Sequence, residues 1–163
     1  MNKRKVILVI GYDGYIGFPL TMRLLSETHV VYGVDNYSRR TAVNEIGSIS
    51  ATDISDPYGR RELLYKLGNF THKDLDYARD NDLMEKLISR IKPDVIINLG
   101  HNPSAPYSMI DRAHAEYVIY NNMIGTNNIL WYMKKYCPDC HYITIGSTGE
   151  YDHGINVDIK EGY

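Results

Sequence analysis

Short runs of β-branched and leucine residues at 6–10, 30–34, 95–99 and 142–145 recur along the chain, separated by stretches of helical periodicity. A run that is apolar at nearly every position belongs to a strand covered on both faces, because a strand with one wet face alternates instead. Strands of that kind, interleaved with helices, fold as right-handed βαβ units. The outcome is an α/β fold with a doubly wound parallel sheet and helices on both faces.

The intervening pattern supports this. Helices are expected at 16–26, at 80–91, where Leu83, Met84, Leu87, Ile88 and Ile91 recur at helical spacing, and at 111–136; a short strand is expected at 69–72. Pro93 and Pro138 mark helix ends. The stretch 36–67 is the least regular, with Gly47, Pro57 and Gly59 and helical character only near 61–67. It exceeds an ordinary βα connection and is expected to be a binding or lid segment.

Composition narrows the function classes. A chain of 163 residues with 44% hydrophobic and 23% charged residues suits one globular domain rather than a disordered chain. Eighteen Lys and Arg against 20 Asp and Glu leave no basic excess, which argues against nucleic acid as a partner. The N-terminal apolar run 6–10 is too short for a signal peptide's ~7–15-residue core or a membrane span of about 20, so no membrane association and a cytoplasmic location are expected. The two cysteines form Cys137-Pro138-Asp139-Cys140 between a helix and a strand; a structural turn is expected there, and no metal site. Fifteen tyrosines against two phenylalanines is a bias for which the sequence offers no functional reason.

The chemistry concentrates where strands end. Gly11-Tyr12-Asp13-Gly14-Tyr15-Ile16-Gly17 follows the first strand and opens the first helix. Such glycines allow a tight turn at Gly11, close approach of a pyrophosphate near Gly14, and close helix packing at Gly17, with the phosphate on the helix N-terminus. Asp13, Tyr15 and Ile16 complete this loop as cofactor contacts. Asp35, at the tip of the second strand, lies near the ~20-residue offset at which an acid meets the adenosine ribose hydroxyls, followed by Asn36. A carboxylate there disfavours a 2′-phosphate, so NAD is the expected cofactor, although Arg39 and Arg40 could accommodate such a phosphate. Asp74 and Leu75 follow the third strand, where they can reach the adenine edge, and Leu99 and Gly100 end the fourth on the same rim. Beyond the fifth strand, the Ser147 hydroxyl can bond a substrate oxygen, and Glu150 can serve as acid or base.

Together, the GxxGxxG loop, Asp35, Asp74-Leu75, Asn122-x-x-Gly125-Thr126, and Ser147 with Tyr151 resemble the extended short-chain dehydrogenase/reductase family of nucleotide-sugar epimerases and dehydratases. Within it, the Ser-Ala-Pro-Tyr-Ser-Met-Ile-Asp-Arg run at 104–112, the Asn-Asn-Met-Ile-Gly-Thr run at 121–126 and Gly149-Glu150-Tyr151 are similar to the UDP-sulfoquinovose synthase branch. The resemblance implies a Rossmann-like fold and a tightly held NAD that takes a hydride from C4 of UDP-glucose, followed by loss of water, sulfite addition and hydride return. It implies that Asn122 contacts the cofactor, that Ser104, Tyr107, Ser108, Met109 and Thr148 contact a UDP-sugar, that Ser147 bonds the C4 oxygen, and that Glu150 serves the elimination. The full-length enzyme is expected to be a homodimer built on the 111–136 helix.

Two departures stand out. His101, Asn102 and Pro103 replace the glutamate, glutamine and arginine common before that Ser-Ala-Pro-Tyr run, which weighs against sulfite as second substrate. The family's general base is a tyrosine with a lysine four residues on, and no tyrosine here has one. The chain is therefore expected to be an incomplete NAD-binding domain over 1–163, its sheet truncated after the fifth strand and its substrate domain absent. The alternatives are part of a UDP-sugar 4-epimerase or dehydratase, and a stand-alone NAD-binding regulatory module.

Overall fold

In the computed structural model, which describes residues 3–50 and 53–146, the apolar runs become one parallel sheet. Its strands are β1 (Val6–Ile10), β2 (Val30–Asp35), β3 (Phe70–Asp74), β4 (Val95–Asn98) and β5 (His141–Thr144), in the order β3-β2-β1-β4-β5. The helices are α1 (Gly17–Ser26), α2 (Ser38–Glu45), α3 (Pro57–Leu67), α4 (Asn81–Ile91), the single turn α5 (Ala105–Ser108), α6 (Arg112–Ile119) and α7 (Gly125–Tyr136). A π-helical turn, Tyr120–Ile124, joins α6 to α7 in one continuous helix. This is a Rossmann-like α/β fold.

Side-chain alternation explains why β1 is apolar throughout. Leu8 and Ile10 enter one core with Met84, Leu87 and Ile88 of α4 and Ile129 and Met133 of α7. Ile7 and Val9 enter the opposite core with Leu25 of α1, Leu64 of α3, Phe70 and Tyr12. Each such side chain contributes roughly 1.5–3 kcal/mol by leaving water, so neither face of β1 tolerates a polar residue. Ile10 is opposite both Val34 and Asn98, which makes β1 the strand beside which the winding reverses. By the rule for open α/β sheets, a ligand crevice is expected beyond the carboxyl ends of β1 and β4.

The stretch 36–67 is more regular than its sequence suggests. It holds α2, and α3 is the crossover helix of the β2–β3 unit, with Leu64 buried in the same core as α1. Its pattern is faint because only Leu64 is fully buried among charged neighbours. Pro57 is the first residue of the helix, and Asp56 caps it by accepting the Gly59 N–H at 2.7 Å. Cys137 and Cys140 are free thiols bracketing the turn between α7 and β5, where the Cys140 N–H reaches the Cys137 carbonyl at 2.9 Å. Among the described residues, no helix is long and apolar enough to cross a membrane.

Candidate cofactor-binding site at the carboxyl edge of the sheet

The glycine loop is a cradle that side chains would fill. Gly11 adopts φ +81°, and its N–H bonds the Val34 carbonyl at 2.7 Å. A Cβ on Gly17 would lie 2.0 Å from the Gly11 carbonyl oxygen, so only glycine lets α1 start this close to the loop. The Gly14 N–H reaches the Gly11 oxygen at 3.1 Å, and Tyr15 and Ile16 are exposed. The first turn of α1 carries no acid and no capping side chain, which leaves the positive end of the helix free for an anion. A dinucleotide pyrophosphate fits this arrangement.

Charged side chains hold the β2–β3 side of the crevice. Asp35 accepts the Asp13 N–H at 2.9 Å and the Tyr37 N–H at 2.8 Å, and burial raises its carboxyl pKa against those bonds. Asn36 accepts the Ser38 N–H and donates to Asp76, both at 3.0 Å, so the turn after β2 is built from two consecutive acidic or amide side chains. Asp13 is buried and pairs with Arg40, Nε to Oδ2 at 2.5 Å and Nη2 to Oδ1 at 3.1 Å, while Arg60 donates to its carbonyl. Arg39 is exposed. Tyr37 donates to Asp74 at 2.6 Å, Arg61 reaches both Asp74 oxygens at 3.2 Å, and the Tyr12 hydroxyl meets that of Tyr37 at 2.9 Å. Burial, then the Asp74 bond, pushes the Tyr37 phenol up to about 12. Leu75 packs against the α4–α7 core beside this ladder.

Neutral groups hold the β4 side. Asn98 is buried, donates to the Tyr142 hydroxyl at 3.0 Å and accepts the Gly100 N–H at 3.1 Å. His101 Nε2 meets the Thr126 hydroxyl at 2.8 Å, and burial lowers its pKa, which favours the neutral ring. Asn121 donates to the Gly100 carbonyl, and Asn122 bonds both the N–H and the carbonyl of Asn102, each at 2.9 Å. In this arrangement the Asn122 amide braces the loop that follows Gly100. Gly100 is packed so tightly that a Cβ would lie 3.0 Å from Ile10 and Tyr77, and Leu99 joins the α1–α3 core.

The 104–112 run is ordered by its own polar groups. Ser104 caps α5 by accepting the Tyr107 N–H at 3.3 Å, and Ser108 donates to the Ala105 carbonyl. Tyr107 packs edge-on against His114 at 4.8 Å, and Met109 is exposed. Ser147, Thr148 and Glu150 lie outside the described residues. The structure thus brings Gly11, Asp35, Asp74 and Gly100 to one edge of the sheet.

Several members of this site escape sequence reasoning. Arg60, Arg61 and Tyr37 come from the stretch read as irregular, although Asp56-Pro57 is a legible helix start. The tyrosine bias also acquires a physical reason. The hydroxyls of Tyr12, Tyr37, Tyr77, Tyr136 and Tyr142 each reach a polar partner, a service phenylalanine cannot provide.

Residues 7–162 match the sequence profile described as the NAD dependent epimerase/dehydratase family. The chain is 35% identical to chloroplastic UDP-sulfoquinovose synthase of Spinacia oleracea over 98% of its own length and 33% of the relative's. It is 36% identical to UDP-sulfoquinovose synthase of Sulfolobus acidocaldarius over 89% of its length and 37% of the relative's. The chain therefore spans about a third of the length of these curated relatives. In fold it is similar to the UDP-glucose 4-epimerase of Bifidobacterium longum, in complex with NAD+ and UDP, with a TM-score of 0.68, 24% identity, and coverage of 90% of this chain and 38% of that one. The UDP-Glc/GlcNAc 4-epimerase of Campylobacter jejuni gives the same TM-score and coverage at 20% identity.

Proposed function

Since the chain belongs to the NAD dependent epimerase/dehydratase family, we propose that it is the NAD-binding part of a nucleotide-sugar-modifying enzyme resembling UDP-sulfoquinovose synthase. The observation that carries this reading is the glycine cradle: an uncapped helix start, packed so closely on Gly11 that Gly17 admits no side chain. In it, Gly11, Gly14 and Gly17 with the N–H groups of Tyr15 and Ile16 would hold the pyrophosphate. Asp35 would face the adenosine ribose, Asp74 and Leu75 the adenine, and Leu99 and Gly100 the nicotinamide half. NAD, when bound, supplies a reversible hydride acceptor. The neutral His101 and the amides of Asn98, Asn121 and Asn122 keep the wall beyond Gly100 in place without adding a charge.

The Ser147 hydroxyl and the Glu150 carboxylate are the groups proposed to act on the sugar, with Thr148 and the residues Ser104, Tyr107, Ser108 and Met109 binding a UDP-sugar. UDP-glucose is the sugar that the family resemblance implies. For the full-length enzyme we further propose a homodimer through the α6–α7 helix, where Ile119, Met123, Leu130 and Trp131 are exposed; sedimentation of the full-length enzyme as a monomer overturns this.

Calorimetric titration tests the core of the reading. The protein binds NAD, with NADP weaker by tenfold or more; a folded protein that binds neither overturns it. Incubation of the full-length protein with UDP-glucose, with and without sulfite, then separates sulfonation from epimerisation or dehydration by the product formed.

A further inference from the structure

We propose that Asp13 is a positioning residue that sets the preference for NAD over NADP by tying off the guanidinium of Arg40. The inference rests on the reading of this crevice as a dinucleotide site. Arginine is the side chain that recognises a ribose 2′-phosphate, because its planar fork matches two phosphate oxygens. Arg40, just beyond the β2 tip, stands in the sequence position for that task, and its charge is felt by the Asp35 carboxylate at the tip itself.

The fork is already filled. Arg40 Nε and Nη2 grip the two carboxylate oxygens of Asp13 at 2.5 and 3.1 Å, and Nη2 also donates to the Ser55 carbonyl at 2.9 Å. The pair cannot be surrendered cheaply. The Asp13 side chain is only 4% exposed, and a buried carboxylate stripped of its partner is strongly unfavourable. Arg60 does not release Arg40 from this duty, since its Nη1 lies 3.5 Å from Asp13 Oδ1 and is directed mainly to the Asp13 carbonyl, with its guanidinium 4.3 Å above the Phe18 ring. The same residue thus places an acid in the phosphate loop and withdraws the arginine that a 2′-phosphate would need. Asp35 is left facing the ribose.

The test is titration of NAD and NADP into the protein and two variants. Asp13→Asn keeps the shape of the side chain and removes its charge; NADP binding tightens relative to NAD by about tenfold, the size of one charge-assisted bond. Adding Arg40→Gln to that variant abolishes the gain. A folded Asp13→Asn protein with an unmoved NAD-to-NADP ratio overturns the inference and leaves the cofactor reading intact. Wild-type protein that binds no dinucleotide takes both down. If Asp13→Asn does not fold, Arg40→Gln alone decides: it bares the Asp13 carboxylate beside the pyrophosphate cradle and weakens both dinucleotides by one factor, whereas a selective loss of NADP shows Arg40 already serving the 2′-phosphate and overturns the inference.

Discussion

The two walls of the crevice are built from different chemistry. On the β2–β3 side, Asp13 and Asp74 are matched to Arg40, Arg60, Arg61 and the Tyr37 hydroxyl, while Asp35 accepts two backbone N–H groups. On the β4 side, Asn98, Asn102, Asn121, Asn122, Thr126 and a neutral His101 do the holding. Charged partners attract one another over distance and recruit residues from helices far apart in sequence, which is how α2 and α3 come to grip a loop at the end of β1. Amides act only at contact, so the β4 wall is assembled from two short segments, 98–102 and 121–126, pressed together. One wall is held by ion pairs and the other by neutral hydrogen bonds.

The largest expected effect lies where the walls share a backbone. Gly17→Ala places a Cβ inside contact distance of the Gly11 carbonyl and is expected to cost about 3 kcal/mol or more in urea denaturation while abolishing NAD binding; wild-type stability would show that α1 has room to retreat. Asn121→Ala removes a buried donor to the Gly100 carbonyl and is expected to cost about 1–3 kcal/mol, with little dependence on pH because the wall is neutral. Tyr37→Phe cuts the ladder between Tyr12 and Asp74, and about 1 kcal/mol is expected in the same assay. A larger loss from Tyr37→Phe than from Asn121→Ala would reverse the comparison.

The smallest effect is a pH response at a third place. His114 lies between Asp111 at 2.7 Å and Glu45 at 3.0 Å and ties α2 to α6; its bonds to those carboxylates raise its pKa above 6.5. A group whose folded pKa is raised stabilises fully below its unfolded value, and that contribution fades as pH rises through the folded value. Denaturation midpoints of His114→Gln and wild type should therefore converge above that folded value and separate below 6.5. A gap that widens with pH would refute the assignment.

Much of the architecture was legible before folding. β1 and β4 announce themselves because each is apolar on both faces, and α4 because its stripe is unbroken. The handedness of the crossovers follows from the βαβ rule once those are placed, whereas the strand order β3-β2-β1-β4-β5 is read from the structure. The strand ends shift by a residue or two: β3 runs to Asp74 and β5 begins at His141, since pairing with a neighbour, not side-chain type, sets where a strand stops. The π turn at Tyr120–Ile124 was not read from the sequence; within it, Asn121 accepts from Tyr77 and donates to the Gly100 carbonyl, contacts that come from distant parts of the chain.

By itself the sequence determined the parallel α/β sheet, the glycine cradle and the acid at the tip of β2, all of which depend on local backbone freedom and periodicity. It left open whether Arg40 serves a phosphate, because that depends on which of several nearby acids claims its guanidinium. Only the tertiary structure shows which acid that is: Asp13, a buried carboxylate paired with Arg40 of α2 and approached by Arg60 of α3, and the proposed cofactor preference rests on that pairing.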